Sequence, residues 1–398
     1  MSYSENAMCA ILLCSNLGIN KGNSLKPLSL KEWNIFLEKM IEIKENPSVV
    51  FSNESNWMEK MNYSEEEKER MVQLLARGVN VAFELDSLKN KGIQVITMFD
   101  SDYPVLLKRK LKTKTPPVLF YAGNLELAKK VGIAVVGSRN VDDEGMRFAE
   151  ELVKKASKEK LIIYSGGARG VDTISETTAL NSGGAVVSFV ADSLLTKIKK
   201  KEVISAILSG RLLLISDVKP DVGFSVGRAM NRNKYIYTSA YGAFIIASDY
   251  NKGGTWNGAI ESIKNNYTKT LIWNYAKYNG NLKLIENGGI PYEITEETIY
   301  SVITKKQQDF VQLDLFKDDF CLQDEKEMEE TRNNLKDCDT QDVYDMIKTS
   351  LIEYIGNGRS FIEISEYFNI IECQLDIWLE RLCQDNWITL ENKLYKKK

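Results

Sequence analysis

Two stretches decide the fold: Ile133-Ala134-Val135-Val136-Gly137-Ser138-Arg139-Asn140, and Leu161-Ile162-Ile163-Tyr164-Ser165-Gly166-Gly167-Ala168-Arg169-Gly170 behind it. Each is a short apolar run that stops at a glycine-containing turn carrying an arginine. Such runs, bounded by turns, fit strands buried on both faces. Between them Met146, Phe148, Ala149, Leu152, Val153 and Ala156 recur at helical spacing, which predicts a helix over 144–158. Strand, helix and strand with glycine turns at the strand carboxyl ends describe a right-handed crossover of a parallel sheet. Such turns bind ligands, because glycine lets the backbone come close and a helix amino terminus offers N–H groups to an anion. Arg139 and Arg169 add charge that fits a phosphate. Gly137, Ser138, Asn140, Ser165, Gly166 and Gly167 complete the candidate site.

These turns resemble those of the DNA-processing protein A family (DprA, also called Smf), which has GSR after its first strand and SGxARGxD after its second. Asp102-Tyr103-Pro104-Val105-Leu106-Leu107 is similar to the family's entry segment, and the stretch 116–124, PPVLFYAGN, to its PPxLFxxGN approach. The likeness covers roughly residues 90–290. The family also has a helix reading FxxRNRIxxxLS, whose arginines point at the GSR pocket. Here Arg232-Asn233-Lys234 stands for RNR, close behind Arg228, and Thr238-Ser239 for leucine-serine. Lysine keeps the charge but loses the bidentate fork. Gly253-Gly254-Thr255-Trp256 departs from the family's SGSLxTA. It drifts toward the GGxGT turn of related lysine-decarboxylase-like nucleotide enzymes, which use a glutamate nearby; Glu261 is the candidate.

The resemblance implies an α/β protein with a Rossmann-like, mostly parallel sheet. It also implies a helical amino-terminal domain and a small winged-helix-like carboxyl-terminal domain as flanks. The implied function is to bind single-stranded DNA without cutting it, without a cofactor, as a homodimer that loads a recombinase of the RecA type. Transformation, recombination and phage defence all remain open as its setting. The alternatives are a nucleotide-binding or nucleotide-cleaving enzyme using Glu261, and an interaction hub with a vestigial pocket.

Composition narrows the chemistry. The chain has 398 residues and no histidine, which removes histidine bases, histidine-activated nucleophiles and histidine metal sites. The net charge of -3 hides a division: residues 101–300 hold 28 Lys/Arg against 20 Asp/Glu, and the remainder 24 against 35. A basic middle between acidic flanks suits a polyanionic ligand, although the excess could serve solubility alone. The apolar run 7–13 is too short for a membrane span and lacks a basic flank, and no cysteines pair as Cys-x-x-Cys. A cytoplasmic, membrane-free protein with free thiols is expected.

Four segments follow: helices over 1–90, the sheet domain over 91–300, an acidic linker over 301–340, and a small domain over 341–398. Ser29 three before Glu32 signals a helix start, as does Ser64 before a run of glutamates. Leu74-Leu75-Ala76-Arg77-Gly78 reads either as a nucleic-acid-gripping hairpin turn or as a helix capped by Gly78. Lys108, Arg109, Lys110, Lys112 and Lys114 read as a solvated face, and Lys197 to Lys201 as a helix start. Asp172 is expected to cap backbone N–H groups or to orient Arg169. In the linker, Gln312-Leu313-Asp314-Leu315-Phe316 matches the QLxLF peptide that docks on the DNA sliding clamp; packing as a strand is the alternative. The small domain offers Glu372, Gln374, Asp376, Glu380 and Arg381 where DNA reading would need basic side chains, so it reads as a protein-contact or dimer module.

Overall fold

Apolar runs buried on both faces build the centre of this protein as a parallel sheet. The computed structural model describes residues 3–305, apart from 21, 23 and 53–55, and a subset of positions from 348 to 397. The chain divides into two compact units, Met1–Gln307 and Gln308–Lys398. The first contains β1 (Gln94–Thr97), β2 (Val118–Gly123), β3 (Gly132–Val136), β4 (Ile162–Ser165), β5 (Val186–Phe189), β6 (Leu212–Ser216), β7 (Gly242–Ile245), β8 (Lys269–Trp273) and β9 (Ile290–Tyr292). Their spatial order is β1-β2-β6-β5-β4-β3-β7-β8-β9. The strands from β6 across to β9 run parallel, with Ile133 opposite Ile163 and Val135 opposite Phe244. β1 and β2 extend the sheet antiparallel. The α/β class and mostly parallel sheet expected from the sequence are therefore present.

The chain winds outward from β3 to β6, then returns to place β7 on the other side of β3. That reversal opens a crevice at the carboxyl ends of β3 and β7, the place where sheets of this kind bind ligands.

Helices cover both faces. In chain order they are α1 (Glu5–Cys14), α2 (Leu30–Glu42), α3 (Trp57–Lys60), α4 (Glu65–Leu75), α5 (Gly78–Asn90), α6 (Val105–Leu111), α7 (Asp143–Lys158), α8 (Val171–Asn181), α9 (Leu194–Lys197), α10 (Lys201–Leu208), α11 (Val226–Ser239), α12 (Gly253–Lys264), α13 (Asn279–Glu286) and α14 (Ile299–Thr304). The crossover helix α7 buries Ala149, Leu152, Val153 and Ala156, the stripe read from its spacing. The lysine run at 197–201 behaves differently: Lys197 ends α9 and Lys201 begins α10, because Ser193 caps an earlier single turn.

The amino-terminal helices share the sheet's core instead of forming a domain of their own. One cluster of buried side chains runs from Cys9 to Ile303. Trp33 stacks on Phe36 at 5.2 Å, and Trp57 meets Phe36 edge-on at 6.2 Å. Each such side chain contributes roughly 1.5–3 kcal/mol on burial. Ser29–Glu32 and Ser64–Glu67 both form complete capping boxes. The apolar run at 7–13 is a core helix, with Ala7 and Cys9 to Leu13 buried. No helix among the described residues is long and apolar enough to cross a membrane.

Arg77 corrects the hairpin reading. It is 7% exposed and points inward. Its guanidinium donates to the carbonyls of Leu17 at 2.6 Å, Leu74 at 3.0 Å and Ser15 at 3.3 Å, and to that of Leu12. Helix ends leave such carbonyls unpaired, and Arg77 pairs those at the end of α1. Burial pulls its pKa down to about 10. Gly78 does not cap α4 either; it opens α5 without a positive φ.

In the second unit, β10 (Arg359–Ser360), β11 (Ile388–Glu391) and β12 (Leu394–Lys397) form an antiparallel sheet in the order β10-β12-β11. β11 and β12 pair antiparallel, with Ile388 opposite Lys397 and Glu391 opposite Leu394. Leu351, Ile355, Ile364, Leu375, Leu379 and Leu382 gather in its core.

Replacing Arg77 by methionine strands those buried carbonyls. Arg77→Met is expected to lower stability by about 3 kcal/mol in chemical denaturation. A loss below about 1 kcal/mol would show that the carbonyls find other donors.

Candidate functional site

The two glycine turns meet at the crevice between β3 and β7. The Ser138 N–H donates to the Ala247 carbonyl at 2.8 Å, and the Val171 N–H to the Ser138 carbonyl at 3.3 Å. Gly170, at φ 77°, lets the second turn lie on the first: a Cβ there would meet the carbonyls of Ser138 and Arg139. The crevice holds a cavity of about 340 Å³ lined by Gly137, Ser138, Arg139, Asn140, Asp172, Arg232, Asn233 and the 252–255 turn. A smaller one of about 190 Å³ adjoins it, lined by Arg139, Gly166, Gly167, Arg169, Lys197, Phe224 and Arg232.

Arg232 lies on the wall of both cavities. It is 5% exposed, and its Nε and Nη1 have no hydrogen-bond partner among the described residues. Its guanidinium lies against Gly166, where any Cβ would overlap it. Burial lowers its pKa, while Asp172 and then Glu176 act in the opposite direction through space. Asp172 is itself buried. Its carboxylate accepts the Ala168 N–H at 3.3 Å, which bears out the backbone-capping reading. Burial pushes its pKa up to about 6, against the attraction of Arg232. Glu176 is likewise raised by burial and accepts the Ser188 hydroxyl at 2.6 Å.

Arg139, Asn140 and Arg169 are exposed at the mouth. The Arg139 guanidinium stands 5.5 Å from the Phe224 ring centre, and that ring is 54% exposed. The arrangement offers a buried cation, exposed outer cations and an aromatic face, a set suited to a sugar-phosphate chain with its bases.

Other expected residues stand elsewhere. Ser165 is fully buried and donates to the Val135 carbonyl at 3.3 Å, tying β4 to β3 under the turn. Asn233 reaches the cavity but donates its amide to the Gly254 carbonyl at 3.1 Å. Arg228 and Lys234 face the other side of α11, where they line a separate cavity. Helical spacing separates them: Ala229, Arg232 and Asn233 share one face, and Arg228, Asn231 and Lys234 the other. Glu261 accepts the Tyr267 hydroxyl at 3.1 Å and lines neither crevice cavity. Lys110, in the run read as solvated, donates to the Ala240 carbonyl at 2.7 Å, and burial lowers its pKa to about 8. Gln312, Leu313, Asp314, Leu315 and Phe316 lie outside the described residues.

Sequence reading missed Phe224 and Lys197. Phe224 follows Gly223 in the loop before a basic helix, a signal that was present. Lys197 gave none: its Nζ reaches the Gly167 carbonyl at 3.3 Å only because α9 ends where it does.

Comparison with known proteins places this crevice in a family. The profile of DNA recombination-mediator protein A matches residues 94–302, just over half of the chain. The DNA processing protein DprA of Streptococcus pneumoniae is 39% identical over 79 residues, 20% of this chain and 28% of that protein. Protein Smf of a Synechocystis strain is 30% identical over 114 residues, 28% of each chain. These matches thus span little more than a quarter of either relative. The crystal structure of the Streptococcus pneumoniae DprA superposes with a TM-score of 0.54 at 19% identity, over 73% of this chain and 95% of that one, a likeness of fold. With its two glycine turns inside the matched region, this chain belongs to the DNA recombination-mediator protein A family.

Proposed function

We propose that this protein binds single-stranded DNA through the sugar-phosphate backbone and does not cut it. The observation that carries this is Arg232, a buried guanidinium on the wall of both crevice cavities whose Nε and Nη1 have no partner among the described residues. A buried charge whose nearby carboxylates are bonded elsewhere is costly, so such a site favours an anion that pairs with it. Arg139 and Arg169 would hold neighbouring phosphates. Phe224 would stack a base, which selects single strands over duplex because paired bases hide their faces. The family description as a recombination mediator supports a further step, in which the bound strand passes to a recombinase of the RecA type. A homodimer, and docking of 312–316 on the sliding clamp, belong to the same proposal. Glu261, the acid an enzyme reading needs, stands off the crevice, which favours a carrier.

Fluorescence anisotropy with labelled oligonucleotides across a salt series tests this. Arg139→Ala is expected to weaken single-strand binding roughly tenfold and to reduce the salt slope by about one. Equal affinity for duplex, or no effect of the substitution, would overturn it. Gly166→Ala pushes the Arg232 guanidinium off its seat and is expected to weaken binding by at least about tenfold. Unchanged affinity there would show that Arg232 does not contact the strand.

A pH dependence also follows. Asp172 and Glu176 have raised pKa values, so each loses its charge as pH falls through its folded value, about 6 for Asp172. A carboxyl of this kind favours the native state at low pH and loses that contribution as pH rises through about 6. Negative charge leaves the crevice over the same window, so affinity for the strand rises as pH drops below about 6. In Asp172→Asn this rise should shrink; an identical pH profile would refute the assignment.

A further inference from the structure

Helix α11 has a second cavity on its other side, of about 380 Å³, between the amino-terminal helices and the sheet. One wall is apolar and carries Leu28, Leu30, Pro117 and Phe120. The facing wall is polar and comes from the loop after β6 and the outer face of α11. There the Asp217 carboxylate accepts the Tyr235 hydroxyl at 2.8 Å and the Asn231 amide at 3.4 Å. Lys219 is neutralised by Glu84 at 2.6 Å. Lys234 donates to the Asn231 side-chain oxygen at 2.8 Å, and Arg228 to the Gly223 carbonyl. Neither forms an ion pair among the described residues, although Glu261 and Asp217 attract the Lys234 charge through space.

We infer that this cavity binds a mononucleotide. An apolar slot takes a flat ring, a half-buried carboxylate asks for an N–H donor such as a base edge, and two cations ask for a phosphate. A nucleoside monophosphate carries all three on one small frame. Inorganic phosphate satisfies only the cations and a nucleoside only the slot and Asp217. The site is separate from the crevice and does not depend on DNA binding: Arg232 and Asn233 face one cavity, Arg228 and Lys234 the other.

The test is calorimetric titration of the full chain with AMP, with adenosine and inorganic phosphate as parallel arms. AMP is expected to bind one to one, and each fragment at least roughly tenfold more weakly. Arg228→Gln with Lys234→Gln should weaken AMP roughly tenfold and leave oligonucleotide anisotropy unchanged, while Arg139→Ala should do the reverse. Asn231→Trp, at an exposed position, should block AMP by filling the cavity with both cations intact. The proposal falls if AMP fails to bind at millimolar concentration, if Arg139→Ala abolishes AMP binding, or if Asn231→Trp leaves it unchanged. It falls too if the Arg228 and Lys234 changes weaken oligonucleotide as much as AMP, since the cavity would then belong to the strand's path. Failure of the DNA reading would show as an oligonucleotide signal insensitive to Arg139→Ala, and would leave the AMP result standing.

Discussion

A guanidinium held out of water, with its Nε and Nη1 unpaired among the described residues, is the constraint on which the crevice depends. Desolvating a charge costs several kcal/mol even after relaxation. Asp172, Glu176 and Asp192 offset part of that cost through space, Asp172 most of the three. Asp172 is committed to the turn's backbone and Glu176 to Ser188, so both carboxylates act on Arg232 while bonded elsewhere. The glycines follow from the same constraint: Gly166 leaves the guanidinium its place, and Gly170 lets one turn rest on the other.

The helix that supplies Arg232 is also a partition. Its 3.6-residue period deals consecutive polar residues to opposite sides, so Arg232 and Lys234, two apart in sequence, serve different spaces. One side is closed by the glycine turns, the other by Leu28 and Leu30 where the chain enters α2. That segment therefore gives the second cavity a wall that the sheet alone could not provide.

Much of this was legible in the residues. Apolar runs ending in glycine turns gave the parallel strands, and helical spacing gave α7 almost to the residue. Arg139, Arg169 and Arg232 were legible as charges near one ligand. What could not be read was direction. Nothing in the order Arg228-Ala229-Met230-Asn231-Arg232-Asn233-Lys234 says which face meets the crevice until the helix is docked. Arg77 looked like a surface cation beside a turn, and its inward path depends on carbonyls sixty residues earlier in the chain. Ser165 looked like a turn hydroxyl, yet it is the last residue of β4 and donates to the Val135 carbonyl of β3. Long-range packing decides such matters, and local pattern carries no trace of it.

The antiparallel pairing of β2 with β6 sets an order of events in folding. Phe120 lies opposite Ser216, so β2 waits for a strand made almost a hundred residues later. Until then β1 and β2 have only each other, and a two-stranded ribbon is marginal in water. The amino-terminal helices pack on this edge, so they too lack their seat while the middle of the chain is being made. Residues that precede β2, with Trp33, Phe36 and Trp57 among them, gain their full packing only once β6 is in place. An edge that comes early in the sheet's sequence is thus completed late.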